Sequence, residues 1–489
     1  MRPPALLALA LAACTTAAPK LPDATLLKPA ALPVPAPSSA VSPKHPPTLI
    51  HRATVLTAAG RVHAPGYVLL VDGRIAAVGD GDGVAPKDAL VIDARGGFVT
   101  PGLIDTHSHM GVYAMPGTSG NADGNEMTSP VTAQVRSESA FWPQDPALWR
   151  ALAGGVTTIQ VLPGSGNVIG GRSFVAHLAP GPTAARAMKL PGAPDGLKMA
   201  CGENPKRVYG GKGAMPASRM GVVATLRAAF QKAAEYRRAR DKWQRDLAAW
   251  TQKHTAKAGE PPPPTRKPDG SPDDPPEPPP RDYALETLAD VLDGKVLVHN
   301  HCYRADEMHQ VLDLAQEFGF RVRSFHHAVE AYKLADRLAK EGTAVSTWVD
   351  WWGFKMEAYD GVAQNVALVH RAGARAILHS DSAVEVRRLN QEAAKARTAG
   401  RHFGIEVSDD EALRWVTANP AWALGVEDQL GTLEKGKRAD VVVWSGNPFS
   451  VYTLAQQVFV DGALAYDRTK HAPPLSDFEL GFVDGEALP

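Results

Sequence analysis

The chain has 489 residues, with 52 Lys and Arg balanced by 52 Asp and Glu, and sixteen histidines. That length exceeds one ordinary hydrophobic core, so a large catalytic-size domain with a smaller companion is expected. A formal net charge of zero leaves no basic footprint for nucleic acid, and no nucleic-acid partner is expected.

Met1-Arg2 is followed by a short apolar run, residues 5–13, and then by Cys14. The run is too short to cross a bilayer, which needs about 20 apolar residues, and it has the length and flank of a secretory signal. Leu11-Ala-Ala-Cys14 closely resembles the bacterial lipobox, which implies cleavage before Cys14 and lipid attachment to it. Thr15 after the cysteine, in place of an aspartate, favours the outer membrane by the sorting rule of such lipoproteins. The expected location is therefore the cell envelope, facing the periplasm or on the outer membrane. Residues 15–46 are Ala, Pro and Ser with almost no aromatics. Such a stretch cannot bury enough apolar surface to offset its ordering entropy, so it reads as a disordered tether.

Short alternating apolar runs follow at 48–50, 67–71, 75–78 and 89–92, punctuated by Asp72-Gly73 and Gly79-Asp80-Gly81. A similar set returns near the C-terminus at 440–444 and 458–460, with the turn Asp461-Gly462. Residues 47–100 and 428–475 are thus expected to pair into one small composite β-domain. Between them, residues 101–427 alternate strand-like runs (157–161, 196–199, 295–299, 321–325, 344–346, 376–379) with helical ones such as 305–318 and 329–341. With the strand that ends at His107, this is nearly a full (β/α)8 TIM-type barrel, whose chemistry sits at the C-terminal ends of its strands. A long charged helix is expected over 220–255, and the Pro-rich insertion 258–281 reads as a disordered spacer. Ser408-Asp-Asp-Glu411 is a capping box at a further helix start.

The residues with metal chemistry fall at strand ends. In "GLIDTHSHM", His107 and His109 are two apart and point to one face, a half-site for one ion. "VLVHNH" places His299 and His301 on a common face, "SFHHAVE" supplies His326 and His327, and "ILHSDS" supplies Asp381. His326 points away from His327 on a continuing strand and reads as packed, while His379, two before Asp381, lies one layer deeper. Cys201 and Cys302 could pair in an oxidising compartment, but spacing alone does not show it, and both are taken as free thiols.

The order His-x-His, Lys, His, His, Asp on successive strand ends resembles the amidohydrolase superfamily of metal-dependent hydrolases, in its imidazolonepropionase-related branch. Supporting motifs are "PGLIDTHSH", "GVTTIQVLPGSGNVIGGR", "VHNHCYRADE", "HHAVEAYKLAD", "HSDS", "TANPAWALG" and "GTLEKGKRADVVVW", which span about 56–467. The resemblance implies an α/β fold, a (β/α)8 barrel with a composite β-sandwich built from both chain ends. It implies that His107 and His109 bind the more buried of one or two divalent ions, expected to be zinc, together with Asp381. His299 and His327 would bind the second, and Lys198, carboxylated on its amine, would bridge; Glu203 is the alternative bridge. An ammonium could not do this, because it offers no lone pair.

Asp381 is then the expected general base and acid, and His301 a donor to the developing oxyanion. Arg172, Lys206, Arg207 and Tyr209 are placed on loops above the barrel mouth, where they could grip a substrate carboxylate. The implied activity is hydrolysis of a C–N bond in an amide, a cyclic amide or a small peptide, with or without homo-oligomers. The alternatives are a heterocycle deaminase, weakened because Asn300, His301 and Cys302 stand where deaminating relatives carry a glutamate, and a surface lipoprotein that only binds.

Overall fold

The computed structural model describes residues 45–179, 184–255, 271, 273–351 and 353–470. Cys14, the signal segment 1–14, nearly all of the tether, residues 258–270 and 272 of the insertion and residues 471–475 of the expected composite domain lie outside the described residues. Among those described, no helix is long and apolar enough to cross a membrane.

The smaller domain is one sheet built from both ends of the chain. Its strands are β1 (Thr48–Leu56), β2 (Val62–Val71), β3 (Arg74–Asp80), β4 (Leu90–Asp93) and β5 (Phe98–Pro101). The barrel contributes β6 (Leu103–Ser108), β7 (Val156–Val161), β8 (Ile169–His177), β9 (Gly196–Ala200), β10 (Leu297–Cys302), β11 (Val322–His327), β12 (Ala344–Thr347) and β13 (Ala376–Leu378). The chain then returns to the first sheet as β14 (Val441–Trp444), β15 (Ala455–Val460) and β16 (Ala463–Asp467). The order in the composite sheet is β16-β15-β14-β5-β1-β2-β3, with β4 pairing β1 beside β5.

Both hairpins that the sequence marks are two-residue turns. Asp72-Gly73 joins β2 to β3 and Asp461-Gly462 joins β15 to β16, each with positive φ at both residues, the twist that suits flanking strands. The inward faces of these strands bury Ile50, Val55, Val68, Leu70, Val99, Val441, Val443 and Phe459 in a core of their own.

The barrel sheet runs in chain order from β6 to β13. Seven strands are parallel and β8 is antiparallel to both β7 and β9, so the barrel departs from the regular (β/α)8 pattern in one strand. Closure between β13 and β6 is made by side chains and by the chain just beyond β13. The buried Asp105 carboxylate accepts the N–H and the hydroxyl of Ser380, and the N–H of Asp381 donates to the His107 carbonyl at 3.0 Å.

The long helix Arg219–His254 packs its first half onto the barrel through Val222, Leu226 and Phe230. Its second half carries residues 273–281 of the Pro-rich insertion. Trp243 and Trp250 donate their indole N–H groups to the carbonyls of Pro276 and Asp273, each at 2.9 Å. This part of the expected spacer is therefore ordered, held by two tryptophans on one helix face.

Candidate active site

β6 is buried along its whole length. Alternation along it sends Asp105 and His107 inward, and His109 follows just past its end. The Nε2 atoms of His107 and His109 are 3.2 Å apart, and Asp381 Oδ1 lies 3.6 and 3.4 Å from them. His109 Nδ1 donates to the Leu162 carbonyl at 2.8 Å, which leaves the lone pair on Nε2, facing the cluster. Ligand atoms of His107, His109 and Asp381 lie within 4.8 Å of one another, and so do those of His107, His327 and His379.

Behind His107 runs a chain of imidazoles. His107 Nδ1 is 2.9 Å from His326 Nδ1, and His326 Nε2 is 2.9 Å from His299 Nδ1. With the His107 lone pair on Nε2, its Nδ1–H donates to His326, and His326 donates in turn to His299. This orients His107 and raises its basicity. His326 is thus packed in the barrel interior, as the strand alternation suggested.

The same chain changes the reading of His299. Its Nδ1 is engaged by His326, it faces Lys198 across the β9–β10 register, and only its Nε2 is without a partner among the described residues. His301, one inward step further along β10, has its ring 4.5 Å from that of His327, and neither of its nitrogens has a hydrogen-bond partner. His327 Nδ1 is likewise unpartnered and stands 4.0 Å from Asp381 Oδ2. Both His327 (φ +70) and Asp381 (φ +50) hold left-handed backbone, a strained conformation that collects at functional sites.

Burial keeps these imidazoles neutral. His109 and His299 are brought down to about 3, and His107, His301, His326, His327 and His379 fall well below the ordinary histidine value. Neutral imidazoles keep a lone pair for a cation. Burial also brings the Lys198 amine down to about 7 and pushes the Asp381 carboxyl up to about 7, each held back by the charge of the other. Lys198 Nζ donates to the Pro163 carbonyl at 3.0 Å.

Other expected site residues are placed elsewhere. Glu203 begins the helix Glu203–Gly210 and meets Lys355 at 4.0 Å, outside the convergent groups. Gly202 before it has φ +84, and a Cβ there would meet Glu357 Oε1 at 2.6 Å, so this turn needs glycine. Arg172 lies within β8, not on a loop; Asp290, Asp195 and Thr287 hold its guanidinium at 2.7, 3.4 and 3.1 Å. Tyr209 is buried, donating to the Ser129 carbonyl at 2.6 Å and accepting from Asn167 at 3.0 Å. Both side chains are thus engaged with partners inside the protein. Lys206 lines a cavity of about 660 Å³ over the ends of β9 to β12, and Arg207 is exposed.

The thiols are not free: Cys201 and Cys302 form a disulfide between the ends of β9 and β10. Residues 101 apart in sequence meet because these strands are hydrogen-bonded neighbours.

Sequence reasoning passed over the stretch "TWVDWWGFK" after β12. Trp348 stacks on His327 with ring centroids 4.4 Å apart, and Tyr303 stacks on its own side at 5.1 Å. Lys355 Nζ lies 3.9 Å over the Tyr303 ring. An aromatic-rich loop at the C-terminal end of a barrel strand was the available signal.

The family profile of the amidohydrolase family matches residues 98–470. The chain is 34% identical over 415 residues to the amidohydrolase tasK of Hapsidospora irregularis, covering 82% of this chain but only 39% of that longer protein. It is 27% identical over 400 residues to imidazolonepropionase of Mesorhizobium japonicum, covering 74% of this chain and 81% of the relative. The crystal structure of an amidohydrolase from Thermotoga maritima superposes with a TM-score of 0.73 at 32% identity, over 86% of this chain and all of that one. With the barrel, the inward histidines and the profile match in agreement, this chain belongs to the amidohydrolase family.

Proposed function

We propose that the chain is a metal-dependent hydrolase of C–N bonds in amides, cyclic amides or small peptides. One observation supports this above others. His107, His109 and Asp381 converge within 4.8 Å, beside His301, neither of whose nitrogens has a partner among the described residues, and His327, whose buried Nδ1 has none. Leaving buried polar atoms unpaired is costly, and a divalent cation removes that cost. The donor set fits such an ion: neutral imidazoles and a carboxylate suit zinc among others.

In this reading His107, His109 and Asp381 would hold one ion, and His301 and His327 would hold a second if two are bound. His301, which the sequence suggested as an oxyanion donor, fits better as a ligand than His299 does. Lys198, carboxylated on its amine, would add an anionic donor to this set. Addition of carbon dioxide requires the neutral amine, and burial makes that form accessible near pH 7. The cation supplies Lewis-acid polarisation of the scissile carbonyl and an acidified water. Asp381 takes the water's proton on its carboxylate and returns it to the departing nitrogen. His326 and His299 keep His107 in the tautomer that presents Nε2.

The same reading puts the chain in the bacterial cell envelope, tethered through lipidated Cys14. The disulfide supports this, because such bonds persist in oxidising compartments. Palmitate labelling that disappears in Cys14→Ser tests the anchor. The enzymatic reading is tested by elemental analysis of purified protein and by assay against N-acyl amino acids, dipeptides and lactams before and after chelation. Bound metal, with hydrolysis lost on chelation and restored by zinc, supports it; a metal-free, inactive protein overturns it.

A further inference from the structure

The segment that follows β12 supplies a charge that the proposed chemistry does not use. Lys355 has a side chain only 15% exposed, and its ammonium donates no hydrogen bond among the described residues. Its nearest carboxylate oxygens are Glu357 Oε2 at 3.4 Å and Glu203 Oε1 at 4.0 Å. Glu357 Oε2, which has no hydrogen-bond partner among the described residues, faces the ammonium as an ion pair without a hydrogen bond between them. Glu357 Oε1 accepts the guanidinium of Arg219 and the N–H of Glu203. A largely buried ammonium has three donors to satisfy, and these are left open.

Position makes this cation informative. Its Nζ lies over the Tyr303 ring, and that ring lies 5.1 Å from both His301 and His327. The ammonium and the unpartnered imidazoles thus share one aromatic neighbour. Its charge is felt at His301 and at Asp381. Trp348, stacked on Trp351 at 4.9 Å, lies 6.1 Å from the same Tyr303 ring. An anionic group on a ligand would meet a positive charge, donors and an apolar wall in one place.

We propose that Lys355 is a specificity-determining residue that anchors a carboxylate on the substrate, so that this site selects acids whose carboxylate lies close to the scissile C–N bond. The proposal rests on the hydrolase reading for the words "scissile bond", but not for the binding itself. A monoanion is favoured over a phosphate. One ammonium supplies the attraction, and Glu203 and Glu357 close by repel a second negative charge.

The test is calorimetric titration of the purified, metal-containing protein with N-acetylalanine and with N-acetylalaninamide, in wild type, Lys355→Met and Lys355→Arg. Wild type is expected to bind the acid at least tenfold more tightly than the amide. Lys355→Met should erase that preference, and Lys355→Arg should keep part of it, which shows that the site still folds. Equal binding of the two probes by wild type, or an undiminished preference in Lys355→Met, overturns the proposal. A parallel assay on a dipeptide and its C-terminal amide separates the two readings. A rise in KM of Lys355→Met for the acid alone, with kcat little changed, supports both. A Lys355-dependent acid preference without any hydrolysis keeps the anchor and removes the hydrolase.

Discussion

Two groups of buried histidine and aspartate stand at opposite ends of the barrel strands, and each places its ligand atoms within 4.8 Å: His107, His109 and Asp381 in one, His177, Asp440 and Asp461 in the other. Their electrostatics are opposed. In the first, burial strips the imidazoles of protons, and nitrogens of the adjoining His301 and His327 remain bare. In the second, His177 Nε2 lies 3.0 and 2.8 Å from the two oxygens of Asp440, and its Nδ1 lies 3.6 Å from Asp461. Burial opposes the imidazolium there, but Asp440 and Asp461 outweigh both burial and Arg438, and the His177 pKa is raised. The two carboxylates then face Arg438 and an imidazole whose protonated form they favour. The second group already contains its cation and clasps β8 of the barrel to the sheet of the composite domain, whereas the first lacks one. Shared residue types and similar distances therefore give opposite chemistry, decided by whether the acids outnumber the neutral imidazoles.

The sharpest way to break this contrast is Asp381→Asn. It should retain metal and lower turnover by about 10²- to 10⁴-fold; wild-type kcat would remove Asp381 from proton transfer. Next, His301→Ala should lose one equivalent of metal by elemental analysis. His299→Ala, which touches only the relay behind His107, should weaken metal binding by about tenfold. Reversed losses would restore His299 as the ligand.

His177→Ala should leave metal content and kcat unchanged. Removing one partner of a buried ion pair should cost about 3 to 5 kcal/mol in chemical denaturation. That cost depends on pH with a definite sign. The raised His177 pKa gives stability fully present below about 6.5 and lost as pH rises through the folded value. Burial raises the Asp440 pKa, but His177 outweighs it and the net shift is downward, so its stability is present above about 3.8 and lost as pH falls through the folded value. The clasp is therefore strongest between those two pH values, and a destabilisation in His177→Ala that grows above pH 8 would contradict it.

The smallest effect is expected at a surface cap. Ser408 and Glu411 close a reciprocal capping box on the helix Asp409–Arg414, and Ser408→Ala should cost about 1 kcal/mol without altering metal content.

What the sequence made readable was what depends on local periodicity. Alternation put His107 and His109 on one face, Asp-Gly pairs located both two-residue hairpins, and the helix 305–318 was read at its observed limits. What it could not supply was depth and partnership. His299 and His301 alternate onto the same face, so only the register of β10 against β9 and β11 shows that His299 meets the His326 relay while His301 stands beside His327. Arg172 and Tyr209 looked available because their partners, Asp290 and Ser129, are 118 and 80 residues away. The antiparallel β8 begins Ile169-Gly-Gly-Arg172, which weakens any strand pattern. The disulfide needed the neighbouring positions of β9 and β10.

The most direct test is an anomalous difference map from crystals of the protein grown with zinc and measured at the zinc edge. The account predicts a peak enclosed by His107, His109 and Asp381, and no peak at His177, Asp440 and Asp461. A peak at the second group alone, or density at neither in protein that hydrolyses C–N bonds, would contradict it.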